Sequence, residues 1–149
     1  MNPFKTLSDF LLSRLAKRLV PFLQNAPFFY GSQTVTIGRN VSLSNVILNA
    51  RSGTISIADD VMFGHNCMVL TGYHDYMSGD VKRPTLENAG RNVVIERGVW
   101  IASGVTVVGP VIIGAGSVIG AGSVVTKNIP PMVLAAGVPA KPVKDLKAV

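Results

Sequence analysis

The chain is 149 residues long and 15.8 kDa, one domain's worth and too short for two ordinary cores. Fourteen Lys and Arg with eight Asp and Glu make up only 15% of it, against an apolar share of 48%, which excludes a disordered tail or a polyelectrolyte. One cysteine, Cys67, excludes an intrachain disulfide framework, and with only two histidines no Cys/His metal site is expected. The net charge of +6 suits an anionic partner, but its sign does not separate nucleic acid, membrane and a phosphorylated small molecule.

Residues 1–30 read as an N-terminal amphipathic helical cap. Leu7, Leu11, Leu15, Leu19 and Phe22 recur at helical spacing, with Lys5, Arg14, Lys17 and Arg18 largely on other faces. Pro21 should kink or end that helix. The basic residues interrupt the apolar run and no small-residue cleavage site follows, so a plain signal peptide is not expected. The bland reading is a lid over the first open β-coil, because exposed strand edges invite aggregation. The sharper one is a helix of residues 1–24 lying on a membrane surface, given basic residues beside Phe4, Phe10 and Phe22. The lid is preferred, and one helix could do both.

From residue 31 to 130 the chain repeats every six residues. Ile95, Ile101, Val107, Ile113, Ile119 and Val125 follow one another without a slip. Four positions after each comes a small or branched residue: Val99, Val105, Val111, Ser117, Ser123 and Ile129. The third residue after each aliphatic is glycine at 98, 104, 116 and 122 and asparagine at 128, as a corner with positive φ prefers. Pro110 cannot take positive φ, so its corner must turn differently. Short strands joined by two-residue corners predict a parallel β-helix with three sides per coil. The same register recurs at Ile37 and Leu43, then at Ile57, Phe63 and Val69. It predicts about four coils, with one long polar loop, 75–92, between the second and third. Residues 131–149, rich in proline, should form a C-terminal cap.

The uncharged run from Gly98 to Thr126 is long enough to suggest a membrane helix. Seven of its 29 residues are glycine, however, and a six-residue period advances a helix by about 600°, which winds the aliphatics around it instead of forming a stripe. Gly114, Gly116 and Gly120 lack the spacing and following helix of a dinucleotide-binding loop.

The stretch Val99-Trp100-Ile101, then Gly120-Ala121-Gly122-Ser123-Val124-Val125-Thr126-Lys127, then Ala136-Gly137-Val138-Pro139-Ala140-Lys141, resembles the C-terminal end of the hexapeptide-repeat sugar O-acetyltransferases. The resemblance covers about residues 31–145. It implies an all-β, left-handed parallel β-helix, and the left hand comes from the resemblance alone, since the usual crossover is right-handed. It also implies acetyl-CoA as acyl donor and a homotrimer with sites between subunits. The segment Thr71 to Tyr76 looks most like the acetyltransferases of bacterial polysaccharide and colanic-acid-type assembly. The N-terminal tyrosines and acids of the galactoside and maltose enzymes are missing, which puts those free sugars in doubt as acceptors.

His74 ends the last regular side of coil two, where the repeat needs no histidine. By itself it could be a surface histidine at a loop junction; the resemblance places the catalytic histidine there. Imidazole, ordinarily near pKa 6.5, suits removal of a proton from an acceptor hydroxyl. His65 sits at a corner and reads as a turn or wall residue. Asp75 could orient His74 or bind the acceptor, although adjacent side chains on an extended chain point apart. Cys67 occupies a small inward position and reads as packing. Trp100 should point outward, and the resemblance puts it beside the acceptor.

By the same resemblance Ser103, Ala121, Thr126 and Lys127 line the cofactor groove, with Lys141 adding to its phosphate end. An ordinary solvated corner charge is the bland reading of Lys127. Asn45 and Asn66 could line the acceptor site, although asparagine at a corner is usually a turn residue.

The expected function is transfer of acetyl from acetyl-CoA to a sugar hydroxyl in surface-polysaccharide biosynthesis, without an acyl-enzyme. The expected location is the bacterial cytoplasm, peripheral to the inner membrane if residues 1–24 touch lipid, and no nucleic-acid partner is expected. The alternatives are an N-acetyltransferase of a nucleotide-linked amino sugar and a non-catalytic β-helix scaffold.

Overall fold

The computed structural model describes residues 3–75, 77 and 90–147, with the side chains of 3–9 and 21–24 left aside. Most of the expected 75–92 loop therefore lies outside the described residues. Among the described residues one helix, α1 (Pro3–Asn25), precedes fourteen short strands. They stack into three faces. Face I holds β1 (Phe28–Tyr30), β3 (Ile47–Asn49), β6 (Met68–Leu70), β9 (Thr106–Val108) and β12 (Val124–Val125). Face II holds β2 (Val35–Ile37), β4 (Ile55–Ile57), β7 (Val93–Ile95) and β10 (Val111–Ile113). Face III holds β5 (Met62–Phe63), β8 (Trp100–Ile101), β11 (Val118–Ile119), β13 (Val133–Gly137) and β14 (Ala140–Asp145).

All pairings are parallel except the last, β13 with β14, so the chain climbs one rung per turn as the expected parallel β-helix. The hexapeptide aliphatics Ile95, Ile101, Val107, Ile113, Ile119 and Val125 all point inward and are fully buried. Each such side chain contributes about 1.5–3 kcal/mol by leaving water. Ser117 and Ser123 share this core but are satisfied: Ser117 Oγ donates to Pro130 O at 2.6 Å and Ser123 Oγ to Gly120 O at 2.6 Å.

The corners decide the turn chemistry. Gly98, Gly104, Gly116 and Gly122 take positive φ as expected, and in the early coils Asn40, Asn45, Asp60 and Asn66 fill that role. Asn128 does not. Its side-chain oxygen instead accepts the Ile112 N–H at 2.8 Å, bonding to a neighbouring rung where a turn residue would only shape its own corner. The Pro110 corner turns through a cis Gly109–Pro110 bond.

One expectation for the N-terminus changes. Pro21 neither ends α1 nor marks its last turn: the helix runs on to Asn25, since a proline removes one N–H from the ladder and leaves later bonds available. Phe10, Leu11, Leu12, Leu15 and Leu19 on the helix are exposed, as are Phe28, Phe29, Tyr30 and Ile37 on the coil it would cover. At the other end, residues 131–147 extend face III as a hairpin, and its antiparallel last strand stops the parallel stacking there.

Candidate functional site

The three corner columns differ in chemistry. Between faces II and III lies a ladder of ion pairs: Arg39 meets Asp59 at 2.7 Å and Arg97 meets Asp60 at 2.8 Å. The Arg39 N–H and guanidinium hold Asp59 below the usual carboxylate range. Hydrogen bonds from Asn40 and Arg97 lower Asp60 likewise. Every charged partner here is used by the stack, so this corner reads as structural.

The corner between faces III and I is lined by small side chains. Ser103, Gly104, Ala121 and Gly122 are all exposed, and both glycines take positive φ. A Cβ added at Gly122 would meet nothing within 4 Å. The rungs are closely tied: His65 N–H donates to Ser103 Oγ at 3.2 Å, Gly104 N–H to His65 O at 2.9 Å, and Gly122 N–H to Ser103 O at 3.0 Å. Lower on the same edge Asn45 Nδ2 donates to Asn66 Oδ1. Both asparagines therefore serve the turn ladder, as does His65 at its corner. Ser103, Gly104, Ala121 and Gly122 leave the backbone of these two rungs open to close approach.

The corner between faces I and II carries the insertion. Strand β6 leads out of face I to Thr71, and His74, exposed, follows as a β-bridge residue. Buried Ser52, one rung below, holds both ends of the insertion. Its N–H donates to Thr71 Oγ1 at 3.1 Å, its Oγ accepts the Tyr73 N–H at 3.3 Å, and its carbonyl accepts the Arg91 N–H at 3.1 Å. The Arg91 guanidinium lies 4.4 Å from the Tyr73 ring centroid and donates to the Gly109 carbonyl. Arg91 Nε and Asn49 Oδ1 are buried without a hydrogen-bond partner, and an added Cβ at Gly72 would lie 3.5 Å from the Asn49 carboxamide. A buried polar atom left unpaired costs about 1–3 kcal/mol, so the chain pins this segment at a cost. Asp75 Oδ1 accepts the Met77 N–H at 2.9 Å, a turn within the loop.

The expected site residues thus occupy separate places on one chain. Ser103, Ala121, Asn45 and Asn66 line the III/I corner. His74, Thr126 and Lys127 share the I/II corner, with Thr126 two rungs, about 10 Å, beyond the rung that leads to His74. Trp100 stands outward on face III, 46% exposed, and Lys141 lies exposed on β14. Cys67 is buried with Sγ 3.1 Å from Ala102 O, and burial pushes its thiol up. Among the described residues no group of His, Cys, Asp and Glu could hold a metal. The sequence reading missed Ser52, Tyr73 and Arg91 as a unit. The one available signal was Ser52, a small polar residue in the first long corner.

The family described as Bacterial transferase hexapeptide (six repeats) matches residues 92–127. No curated protein matches the chain significantly. Among solved structures, a maltose O-acetyltransferase from Clostridium difficile 630 is 29% identical over 82% of this chain and 67% of its own, with a TM-score of 0.63. A hexapeptide-repeat acetyltransferase from Vibrio cholerae O1 biovar eltor, complexed with acetyl-CoA, is 24% identical over 90% and 78%, with a TM-score of 0.55. AntD, an N-acyltransferase from Bacillus cereus in complex with dTDP and 3-hydroxybutyryl-CoA, is 20% identical over 81% and 77%, with a TM-score of 0.66. The last two likenesses show the fold, a left-handed β-helix, the hand expected above. Residues 92–127 thus carry the hexapeptide repeat of bacterial transferases, and the coils of the chain are similar to those of hexapeptide-repeat acetyltransferases.

Proposed function

We propose that the chain is an acyltransferase that moves acetyl from acetyl-CoA to a sugar hydroxyl in surface-polysaccharide biosynthesis, with His74 as general base. The observation that carries the reading is the placement of His74, exposed where the insertion leaves the stack, on the same corner as Thr126 and Lys127. An imidazole nitrogen takes the acceptor hydroxyl's proton as that oxygen attacks the thioester carbonyl. The new C–O bond forms, the tetrahedral adduct collapses with cleavage of the C–S bond, and the proton passes to the departing thiolate. No acyl-enzyme is required, in keeping with a lone cysteine that is buried and whose thiol is pushed up.

Acetyl-CoA lies along the III/I corner, where Ser103 and Ala121 leave the backbone approachable, with Lys141 and, from the I/II corner of a neighbouring protomer, Lys127 at its phosphates. Ser103 and Ala121 flank face I on the side opposite to His74, Thr126 and Lys127, which supports a site shared by two subunits. The III/I corner of one protomer then meets the I/II corner of the next in a homotrimer of about 47 kDa, three times 15.8 kDa. Outward Met62, Trp100 and Ile112, each 44–48% exposed, are the apolar surface such an assembly covers. Trp100, Asn45, Asn66 and Asp75 face the acceptor.

No described helix is long and apolar enough to cross a membrane. Helix α1, with exposed Phe10, Leu11, Leu15 and Leu19 beside Arg14, Lys17 and Arg18, rests on the anionic cytoplasmic leaflet.

The test is an acceptor screen read by thiol release from acetyl-CoA. Turnover with hydroxyl-bearing glycans supports O-acetylation. Turnover only with nucleotide-linked amino sugars replaces it by N-acylation. Failure to bind acetyl-CoA leaves a scaffold.

A further inference from the structure

We propose that Arg91 is a positioning residue for His74, acting through the ring of Tyr73. The proposal rests on His74 being the general base. It starts from a mechanical problem: the insertion leaves the stack after Thr71 and returns at Arg91, so His74 lies beyond the last regular rung. Ser52 fixes the backbone at Tyr73 and at Arg91 through two separate bonds. Those bonds leave the side chains undetermined. The guanidinium of Arg91 supplies the rest, seated over the Tyr73 ring and anchored to the Gly109 carbonyl of the next coil.

The consequence falls on the neighbouring residue. Adjacent side chains on an extended segment point to opposite sides. With the Tyr73 ring held against Arg91, half-buried, the His74 side chain is directed outward, and it is exposed. A guanidinium presents a flat face to the ring, which suits the stacking of Arg91 on Tyr73. The buried, unpartnered Arg91 Nε agrees with this: the guanidinium is placed for the ring and the Gly109 carbonyl, leaving one donor unused.

The experiment compares Arg91→Ala, Tyr73→Ala, Tyr73→Phe, the double variant Arg91→Ala/Tyr73→Ala and His74→Ala, using acetyl-CoA and an acceptor found in the screen. Arg91→Ala and Tyr73→Ala should each lower kcat by about tenfold to a hundredfold, with KM for acetyl-CoA changed by less than about twofold, as expected for a displaced catalytic group. Tyr73→Phe, which keeps the ring, should restore at least about half of the kcat. The double variant should fall no further than the worse single one, since both changes break the same contact. Independently of turnover, hydrogen exchange at the Tyr73 amide should speed up in Arg91→Ala and stay slow in His74→Ala. If Arg91→Ala fails to fold, Tyr73→Ala decides, because it leaves the Arg91 bond to Gly109 in place.

Unchanged kcat in Arg91→Ala or Tyr73→Ala, or losses that multiply in the double variant, would overturn the clamp. Should His74→Ala abolish turnover while both clamp variants keep it, only the clamp is lost. Should His74→Ala keep turnover, the base assignment fails and the positioning role with it.

Discussion

Ile57 and Ile95, thirty-eight positions apart in sequence, are direct parallel neighbours on face II, and the next rung places Ile113 on the other side of Ile95. The core is therefore a column across which the insertion leaves no gap. Ile95 is fully buried within it. Changing Ile95→Ala should cost about 2–5 kcal/mol, and Ile95→Val about 0.5–1.5 kcal/mol, because neighbouring rungs are hydrogen-bonded in place and cannot close the hole. Denaturant unfolding measures both, and a loss below 1 kcal/mol for Ile95→Ala would contradict a tightly stacked column.

His74→Ala should leave the coils intact, since the side chain stands outside the stack. Melting temperature and acetyl-CoA affinity should persist while acetyl transfer falls by about a hundredfold or more, the size of a lost general base. A folded variant that retains more than about a tenth of its turnover would shift the search for a base to His65.

The Cys67 thiol is pushed up by burial and closed in by the Gly64 and Ala102 carbonyls. Native protein should react slowly with a thiol-alkylating reagent at neutral pH and rapidly once unfolded, and Cys67→Ala should keep activity. Fast labelling of the folded protein would contradict that burial.

Asp59 has its pKa lowered in the folded state, chiefly by the Arg39 N–H and guanidinium. A carboxylate depressed on folding adds stability above its unfolded value, near 3.9, and loses it as pH falls through the folded value. The gap in melting temperature between wild type and Asp59→Asn should be positive at neutral pH and close as pH falls below about 4. A gap that persists at pH 2 would point to packing instead.

Light scattering should give about 47 kDa, three times 15.8 kDa, and removal of residues 1–24 should preserve the trimer. The full chain should pellet with anionic vesicles at low salt and be released at high salt, and the truncated one should not bind. Equal vesicle binding by both forms would remove α1 from the membrane; a monomer would remove the shared site.

The six-residue period was enough to derive the coils, because each inward aliphatic is dictated by a local rule: a short strand, a two-residue corner, and one face turned inside. Ile37, Ile57, Ile95 and Ile113 could be aligned from sequence alone, and the structure pairs them in that order. Cys67 and Trp100 were legible for the same reason, one on an inward position and one on an outward position. The corners were less so. Asn128 looked like a turn residue until its oxygen was seen on the Ile112 N–H, a partner sixteen positions away. Nor could the pattern place α1, since an amphipathic helix has a face to cover but no sequence rule names what covers it. The meeting of Ser52, Tyr73 and Arg91 was decided only by the tertiary structure. Their positions span an insertion with no repeat, and only the stacking of coil upon coil brings a serine at the first long corner against both ends of the second.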